Sequence, residues 1–181
     1  MPELAAMPKY ESYKDSGLET VGQLPTHWSV NRFKNIFSFG KGLTITKENL
    51  QEEGVPCVNY GEIHSKFGFE VDPDRHELKC VKPEYLTSSI SSLLSQGDFV
   101  FADTSEDIEG SGNFTYLNSD QNIFAGYHTV IARLKGDYNE RFLAYVLDST
   151  AYRMQIQKKV KGVKVFSITQ AVLKSTNLWF P

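Results

Sequence analysis

Residues 97–114, GDFVFADTSEDIEGSGNF, place a turn, an apolar run and an acidic loop next to one another. Gly97 and Asp98 are typical of a turn, and the run after them predicts a buried strand that ends at Asp103. The Gly-Ser-Gly sequence of residues 110–112 then predicts an exposed, pliable loop. The stretch therefore indicates a β-rich core in which one central strand opens into a polar surface loop.

The acidic loop lacks the spacing of a calcium site. Asp103, Ser105 and Asp107 fit positions 1, 3 and 5 of an EF-hand loop. The glycine and the final glutamate that this loop requires are replaced by Ile108 and Phe114. A catalytic carboxylate pair would need a neighbouring base or nucleophile, and no such motif adjoins the loop. The loop therefore indicates neither a metal site nor an active site.

The segments on either side of this stretch predict a single mixed α+β domain, with a β-rich body and C-terminal helices. Alternating or β-rich runs predict strands from Trp28 towards Phe33, over Val55–Ile63, within residues 124–134 and over residues 177–181. In the third of these, Val130 and Ala132 are expected on one side and Ile131 on the other. His128 falls in the same predicted strand and is assigned to the core or its rim.

The last third of the chain has helical periodicity. Asp137 and Glu140 have the offset of a capping box, and apolar residues then repeat at helical spacing as far as Met154. Ser167 and Gln170 form a second capping box before another short apolar helix. We therefore expect one long helix and one short helix, followed by the last strand.

Composition indicates a soluble globular domain. The 181 residues fit one domain, hydrophobic residues make up 40% and charged residues 23%, and no apolar run is long enough for a membrane span. Cys57 and Cys80 are far apart and outside any C-x-x-C spacing, which predicts reduced, buried thiols and a cytoplasmic location. Residues 1–12 are expected to form a disordered tail and residues 13–181 the domain.

Charge is distributed unevenly along the chain, although the net charge is only −3. Residues 97–128 contain six acids and no lysine or arginine, whereas residues 133–164 contain eight bases and three acids. Such asymmetry allows a basic binding face on an acidic protein. The alternative is an ordinary solvated helix surface.

Catalytic signatures are missing from the sequence. PDRHELK, residues 73–79, contains the letters of a metal-dependent nuclease, but only two residues separate Asp74 from Glu77, too few to place them on adjacent strands. The four histidines have no zinc-binding spacing, and phosphate-binding loops, nucleophile elbows and an adenine methyltransferase box are absent. The sequence therefore favours a binding module over an enzyme.

An ordered set of segments resembles the specificity subunits of type I restriction–modification enzymes. In that family, a Y-K-x-S-G-x-x-x-x-G-x-x-P-x-H-W pattern precedes the first target recognition domain, and it is matched by YKDSGLETVGQLPTHW, residues 13–28. Later segments agree in order: VNYGEI, LLSQGDFVFADTSEDIEGSG, AGYHTVIARL, RFLAYVLDSTAYRMQI, KGVKVFSIT and LWFP. The resemblance covers residues 13–181, with an amino-terminal arm at about 13–28.

The resemblance implies one amino-terminal target recognition domain, without the spacer helix and second recognition domain of the family. Such a domain reads one half of a bipartite double-stranded DNA target. Methyltransferase subunits and, through them, the restriction subunit supply methylation and cleavage. It also implies that this chain is not catalytic and needs no cofactor or metal, since the partner subunits would bind the methyl donor and ATP.

DNA-contacting residues are expected in two groups, because phosphate contacts give affinity and base contacts give specificity. The phosphate group comprises Lys158, Lys159, Lys161 and Lys164, around a turn at Gly162. The base-reading group comprises Asn59, Tyr60, Ser65, Lys66, Thr104 and Ser105, on loops that leave strands. Lys41 lies in the glycine-flanked segment FGKGLT, which is expected to be a flexible loop and to reach either backbone or base.

Each group has a structural alternative. The lysines would equally suit a solvated helix end, Tyr60 would suit the core, and the acidic loop would simply close its strand. A different function is also compatible with the sequence. The chain would then be a protein-interaction domain that docks onto methyltransferase subunits through the arm and Trp28, without reading DNA.

Overall fold

The structure, a computed structural model, describes residues 9–162 and 164–181. Its strands are β1 Tyr13–Asp15, β2 Gln23–Pro25, β3 Ser29–Arg32, β4 Phe37–Lys41, β5 Val55–Val58, β6 Phe69–Val71, β7 Cys80–Val81, β8 Leu93–Leu94, β9 Phe99–Ala102, β10 Thr104–Ser105, β11 Phe114–Leu117, β12 Ile123–Ala125, β13 Thr129–Leu134, β14 Phe166–Ser167 and β15 Asn177–Phe180. Its helices are α1 Phe33–Ile36, α2 Tyr60–Ser65, α3 Tyr85–Ser88, α4 Glu140–Asp148, α5 Thr150–Gln157 and α6 Gln170–Lys174. Short 3-10 turns occur at Lys47–Asn49 and Ile90–Ser92.

The central sheet is built around β9, the strand predicted from the acidic stretch. Within the described residues this sheet has five strands in the order β4-β13-β9-β11-β6. Strand β9 is antiparallel to β13 and β11, and β6 runs parallel to β11. All four residues of β9 are buried, as expected of an apolar strand covered on both faces. Val130 and Ala132 pack into one core cluster and Ile131 into another, so the predicted alternation is confirmed.

A second sheet has the strand order β7-β5-β12-β8, in which β5 and β12 are parallel. The β-rich run from Val55 to Ile63, for which the sequence indicates a break at Gly61, divides here into β5 and α2. A capping box explains the division. The Glu62 carboxylate accepts from the backbone N–H of Asn59 at 3.0 Å, and the Asn59 carbonyl accepts from the backbone N–H of Glu62 and Ile63.

The C-terminal helices pack with the central sheet into the larger core cluster. The single long helix predicted there is wrong, because Ser149 breaks it into α4 and α5 and its hydroxyl accepts from the Tyr152 N–H at 3.3 Å. The predicted caps at Asp137 and Ser167 are also wrong. Asn139 caps α4 and Thr169 caps α6, each accepting from the third residue beyond it. Both are residue types that favour the N-cap.

The amino-terminal arm forms an antiparallel ribbon of β1 and β2 that leads into β3. Trp28 is half-buried, and its ring packs edge-on against Phe142 of α4, with the ring centroids 5.5 Å apart. Most of the predicted tail, residues 1–8, lies outside the described residues, whereas the Ser12 hydroxyl is hydrogen-bonded to that of Thr26. None of the helices in the described ranges is both long and apolar enough to cross a membrane.

Candidate nucleic-acid interface

A two-stranded ribbon links the acidic loop to the segment that follows the lysines. Strand β10 pairs antiparallel with β14, so that Thr104 lies opposite Ser167, and the Ile168 N–H donates to the Asp103 carbonyl at 2.7 Å. Two clefts adjoin this β10–β14 ribbon, and Thr104 lines both of them. The ribbon therefore brings together chain segments that are distant in sequence.

The first cleft, called the loop-side cleft, has a volume of about 660 Å³. It lies between α2 and the acidic loop, and its lining is mostly polar: Tyr60, Gly61, His64, Thr104, Ser105, Glu106, Asp107, Glu109, Gly110, Asn113 and Val165. The Asp107 carboxylate accepts from the Gly110 N–H at 2.6 Å, which closes the loop into a turn. The loop therefore forms one wall of the cleft.

A chain of hydrogen bonds crosses this cleft. Two guanidinium nitrogens of Arg153 donate to the Asn113 side-chain oxygen at 2.8 and 2.7 Å. That oxygen fixes the orientation of the amide, whose Nδ2 then donates to Nδ1 of His64 at 2.8 Å. The proton of His64 is consequently on Nε2, which donates to the Thr104 carbonyl at 2.8 Å. The chain ties α5 and α2 to the ribbon.

The second cleft, called the sheet-side cleft, has a volume of about 620 Å³. It lies where β4, β13 and the start of α6 meet the ribbon, and its lining is Lys41, Asp103, Thr104, His128, Thr129, Val130, Ser167, Ile168, Thr169, Gln170 and Ala171. Lys41 is the exposed last residue of β4, opposite Val130, so its predicted place on a flexible loop is corrected to a strand end. The Ser92 hydroxyl donates to the Lys41 carbonyl at 2.9 Å and fixes this end of β4.

Four of the predicted base-reading residues present accessible surface, and two of them, Tyr60 and Thr104, line the clefts. Tyr60 is half-buried as the first residue of α2, and Thr104 is half-buried on the ribbon. Ser65 and Lys66 are exposed at the far end of α2. The Ser65 hydroxyl donates to the Gly61 carbonyl at 2.7 Å, as serines in helices often do. The structure thus places α2, not loops that leave strands, under most of this group.

Asn59 and Ser105 are buried, with exposures of only 2% and 5%. The Asn59 amide donates to Glu62 at 3.2 Å, and its side-chain oxygen fills the space beside Gly126. The Ser105 hydroxyl lies 3.5 Å from an oxygen of Asp107 and accepts weakly from the Asp107 N–H. Because these side chains serve the fold and do not reach solvent, we leave both out of the proposed interface.

The predicted lysine group divides into two pairs. Lys158 forms an ion pair with Glu19 at 2.7 Å, and Lys159 donates to the carbonyl and hydroxyl of Ser175 at 2.8 Å each. Burial, and then repulsion from Arg32, lower the pKa of Lys159. Lys161 and Lys164 are exposed, and no ion pair to a described residue involves them. All four lysines are exposed, but only Lys161 and Lys164 have no hydrogen-bond or ion-pair partner among the described residues.

Gly162, at the predicted turn, has no room for a side chain. A Cβ atom at this position would lie 2.1 Å from the Val165 carbonyl oxygen. The glycine therefore allows the chain to turn sharply between the lysines and β14.

His128 is a cleft residue that the sequence reasoning assigned to the core or its rim. Its side chain is 56% exposed, and its backbone has a left-handed φ of 54°. The ring lies 5.2 Å from that of Tyr60 and 6.0 Å from that of Tyr127, between centroids. No sequence pattern marks this position, because its partner Asp103 is 25 residues away.

The charge around the ribbon is mixed. Lys41 contributes positive charge to the sheet-side cleft and the exposed Lys66 lies at the end of α2, whereas Asp103, Glu106, Asp107 and Glu109 contribute acceptors at the ribbon and loop. Across residues 9–162 and 164–181, no three His, Cys, Asp or Glu side chains are grouped so as to hold a metal ion. The geometry therefore suits contact with both hydrogen-bond donors and hydrogen-bond acceptors of a ligand.

The sequence matches no protein-family model and no curated protein. Solved structures do match its fold. A chain from a structure on complex assembly and conformational transition of the type I R-M system has a TM-score of 0.62 at 14% identity, covering 93% of this chain and 37% of its own. The HsdS subunit from Thermoanaerobacter tengcongensis has a TM-score of 0.58 at 13% identity, covering 93% and 36%.

The S subunit of a type I restriction-modification system from M. genitalium has a TM-score of 0.52 at 16% identity, covering 85% of this chain and 34% of its own. The present chain thus spans about a third of the length of each of these structures. The resemblance drawn from the ordered sequence segments is confirmed at the level of the fold. The chain has the α+β fold found in the specificity subunits of type I restriction–modification systems.

Proposed function

We propose that this chain binds double-stranded DNA sequence-specifically and reads one half of a bipartite target for a type I restriction–modification complex. The observation that carries the proposal is the ribbon itself. It gathers accessible polar side chains from α2, β4, β10 and the β12–β13 connection around two adjoining clefts, in a fold shared with specificity subunits. Specific DNA binding needs such a convergence of polar groups with nearby cations.

The proposal assigns different tasks to the rim and the clefts. Lys41, Lys66, Lys161 and Lys164 are exposed and would contact phosphates, which fixes register without reading sequence. Tyr60, Ser65 and Thr104 would contact base edges, where hydroxyl groups serve as either donor or acceptor. The acids of the loop would accept from cytosine amino groups or orient the neighbouring lysines.

Chemistry is assigned to other chains in this proposal. Methyltransferase subunits would bind the methyl donor and modify the target, and the restriction subunit would bind ATP and cleave. The present chain would supply the DNA sequence specificity of the complex. Purified chain supplied with magnesium and a methyl donor should therefore neither cleave nor methylate DNA, and turnover that is lost on changing Asp74 or Glu77 would contradict this assignment.

The deciding experiment selects bound sequences from a random duplex pool, with and without methyltransferase subunits, and then measures affinity against salt concentration. A DNA reader should enrich one defined half-site and lose affinity steeply as salt rises. If the chain binds methyltransferase subunits but no half-site is enriched and no salt-dependent binding occurs, the proposal is wrong. The docking alternative, through the arm of residues 13–28 with its exposed Tyr13 and its Trp28, then replaces it.

A further inference from the structure

We infer that His128 is a base-reading residue whose Nε2 accepts a hydrogen bond from the amino group of a cytosine or an adenine in the major groove. The inference rests on the proposed function and adds to it the residue and the base edge concerned. Its basis is the way in which Asp103, Tyr60 and Tyr127 hold one exposed histidine in the sheet-side cleft.

Asp103 and His128 are joined twice. The Asp103 backbone N–H donates to the His128 carbonyl at 3.0 Å, and the His128 Nδ1 donates to the Asp103 carboxylate at 3.2 Å. A carboxylate can only accept, so it holds the proton on Nδ1. In the neutral imidazole the remaining nitrogen, Nε2, then carries a lone pair and acts as an acceptor.

The ring is oriented as well as exposed. Tyr60 and Tyr127 pack against it at interplanar angles of 72° and 76°, and against each other with ring centroids 5.6 Å apart, so that the three rings form one edge-to-face cluster. More than half of the side chain nevertheless remains exposed, beside Thr104 and Lys41 in the same cleft. A fixed acceptor is thus presented to solvent between a candidate base-reading hydroxyl and a candidate phosphate contact.

The backbone at His128 is left-handed, with φ at 54°, which costs free energy for any residue other than glycine. Strained positions of this kind are concentrated at functional sites, where the surrounding structure holds them. Here the backbone bond to Asp103 and the packing against Tyr60 and Tyr127 hold it. The strain directs the side chain into the cleft instead of continuing β13 in the regular extended form.

The chemistry of the ligand follows from the groups around Nε2. The Asp103 carboxylate and His128 Nε2 are both acceptors, and the major-groove donors of DNA are the N4 amino group of cytosine and the N6 amino group of adenine. Guanine and thymine present carbonyl oxygens at the corresponding position. An acceptor held there therefore separates cytosine or adenine from guanine or thymine at one position of the half-site.

The test uses the full 181-residue chain with methyltransferase subunits, at pH 8 to favour neutral imidazole. Duplexes carry the selected half-site, each single base-pair change, and analogues that lack one amino group: purine for adenine and 2-pyrimidinone for cytosine. We expect the parent to lose roughly tenfold in affinity when one particular amino group is deleted, the effect of removing one hydrogen bond.

Two substitutions distinguish the loss of the Nε2 acceptor from a loss of the folded structure. In His128→Asn, the amide tolerates the left-handed backbone and can still donate to Asp103, but nothing replaces Nε2. In His128→Gln, an amide oxygen can reach the position of Nε2. We expect the asparagine variant to lose the roughly tenfold advantage given by the amino group, so that deleting this group no longer changes its affinity. The glutamine variant should keep part of this advantage and should still respond in part to the deletion. His27→Asn, in the exposed arm, is the matched control and should change neither.

The possible outcomes are distinct. If the parent selects a half-site but His128→Asn responds to every amino deletion as the parent does, the inference is wrong while the proposed function stands. If His128→Asn weakens binding to specific and random duplexes equally, His128 contacts phosphate and the inference is again wrong. If the parent selects no half-site, both fail. Thermal unfolding of each variant shows whether a loss of binding reflects a loss of fold.

Discussion

Arg153 donates both of its short hydrogen bonds to one oxygen atom, the side-chain oxygen of Asn113, which is 40 residues away in the sequence. This contact fixes the Asn113 amide, and the amide in turn fixes the proton of His64 on the nitrogen that faces Thr104. A charged side chain on α5 thereby sets the position of the candidate interface without lining either cleft.

Removing the guanidinium should therefore loosen the ribbon. We expect Arg153→Ala to lower the free energy of unfolding by about 1–3 kcal/mol, because the Asn113 oxygen loses its charged donors. Arg153→Lys keeps the charge but not the two-pronged geometry, and should recover only part of this loss. Urea unfolding measures the change. Equal stability of all three proteins would show that the hydrogen-bond chain does not hold the ribbon.

Close backbone packing behind the sheet-side cleft gives a second prediction. A Cβ atom on Gly42 would lie 1.9 Å from the Gly126 carbonyl oxygen and 2.1 Å from the Thr129 hydroxyl. Gly42→Ala should therefore cost about 1–3 kcal/mol or more, since backbone atoms must move. Gly61 in α2 has no atom within 4 Å of the same added group, so Gly61→Ala should be neutral or stabilise by about 0.5–1 kcal/mol. Similar unfolding midpoints for the two variants would contradict this close packing at Gly42.

Acid should act on the ion pairs around Glu70. Burial alone would raise the pKa of this carboxyl, but hydrogen bonds from Arg75 and Arg141 outweigh it, and the net pKa is lowered. A carboxyl whose pKa is lowered by folding stabilises the protein at pH values above the pKa of that carboxyl in the unfolded state, about 4.3. This stabilisation is lost as pH falls from there through the folded pKa.

We therefore expect Glu70→Gln to be less stable than the parent at pH 7 and to lose less stability between pH 5 and pH 3. Denaturant unfolding across that range measures both effects. Glu106→Gln, on the exposed loop, is the control and should follow the parent curve. A Glu70→Gln curve parallel to that of the parent would mean that the two arginines do not hold the carboxyl in solution.

Lys161 and Lys164, the exposed lysines on either side of Gly162, give a prediction about phosphate binding. Lys161→Ala combined with Lys164→Ala should weaken binding to specific and random duplexes about equally, and should lower the salt slope by roughly 1 for each phosphate that is no longer neutralised. Lys158→Ala removes an ion pair with Glu19 instead and should change the slope little. Salt titrations of the parent and both variants test this. If the double variant keeps the salt slope of the parent, the two lysines contact no phosphate and the turn is a solvated helix end.

Thr104 and its neighbour Ser105 give a matched pair on one ribbon. Thr104 is half-buried and lines both clefts, so Thr104→Val should cost about 1–3 kcal/mol of binding free energy at the true site and little on random DNA. Ser105 is buried against Asp107, so Ser105→Ala should leave discrimination unchanged. Binding to matched and mismatched duplexes, beside thermal unfolding, separates the two effects. If Thr104→Val discriminates between matched and mismatched duplexes as the parent does, the ribbon has only a structural role.

Much of the sheet was predictable, because its signals are local. The apolar run of β9 and the alternation in β13 depend on neighbouring residues alone, and the structure confirms both. The segment at Asn59 carried two competing local signals, β-rich composition and a capping box to Glu62. The prediction followed the composition and missed α2.

The interface was less predictable, because it depends on contacts between distant segments. Nothing in the sequence near Lys159 indicates that its amine is bound to Ser175, and nothing near His128 indicates its bond to Asp103. Thr104 is a candidate from its polar character on a loop that leaves a strand, and Lys41 from its place in a glycine-flanked segment predicted to be a flexible loop. Their meeting at one cleft was not predicted, since it requires the strand order of the whole central sheet.

The β10–β14 ribbon also pairs the acid-rich residues 97–128 with the segment that directly follows the base-rich residues 133–164. A phosphate backbone laid directly on the acidic loop would be repelled, whereas one displaced towards Lys66 or Lys164 would be attracted. The acids would thus also disfavour wrong alignments of the phosphate backbone, besides the contacts to cytosine or to lysines that are proposed for them. Neutralising Glu106 and Glu109 should therefore tighten binding to random duplexes and narrow the gap between target and non-target DNA.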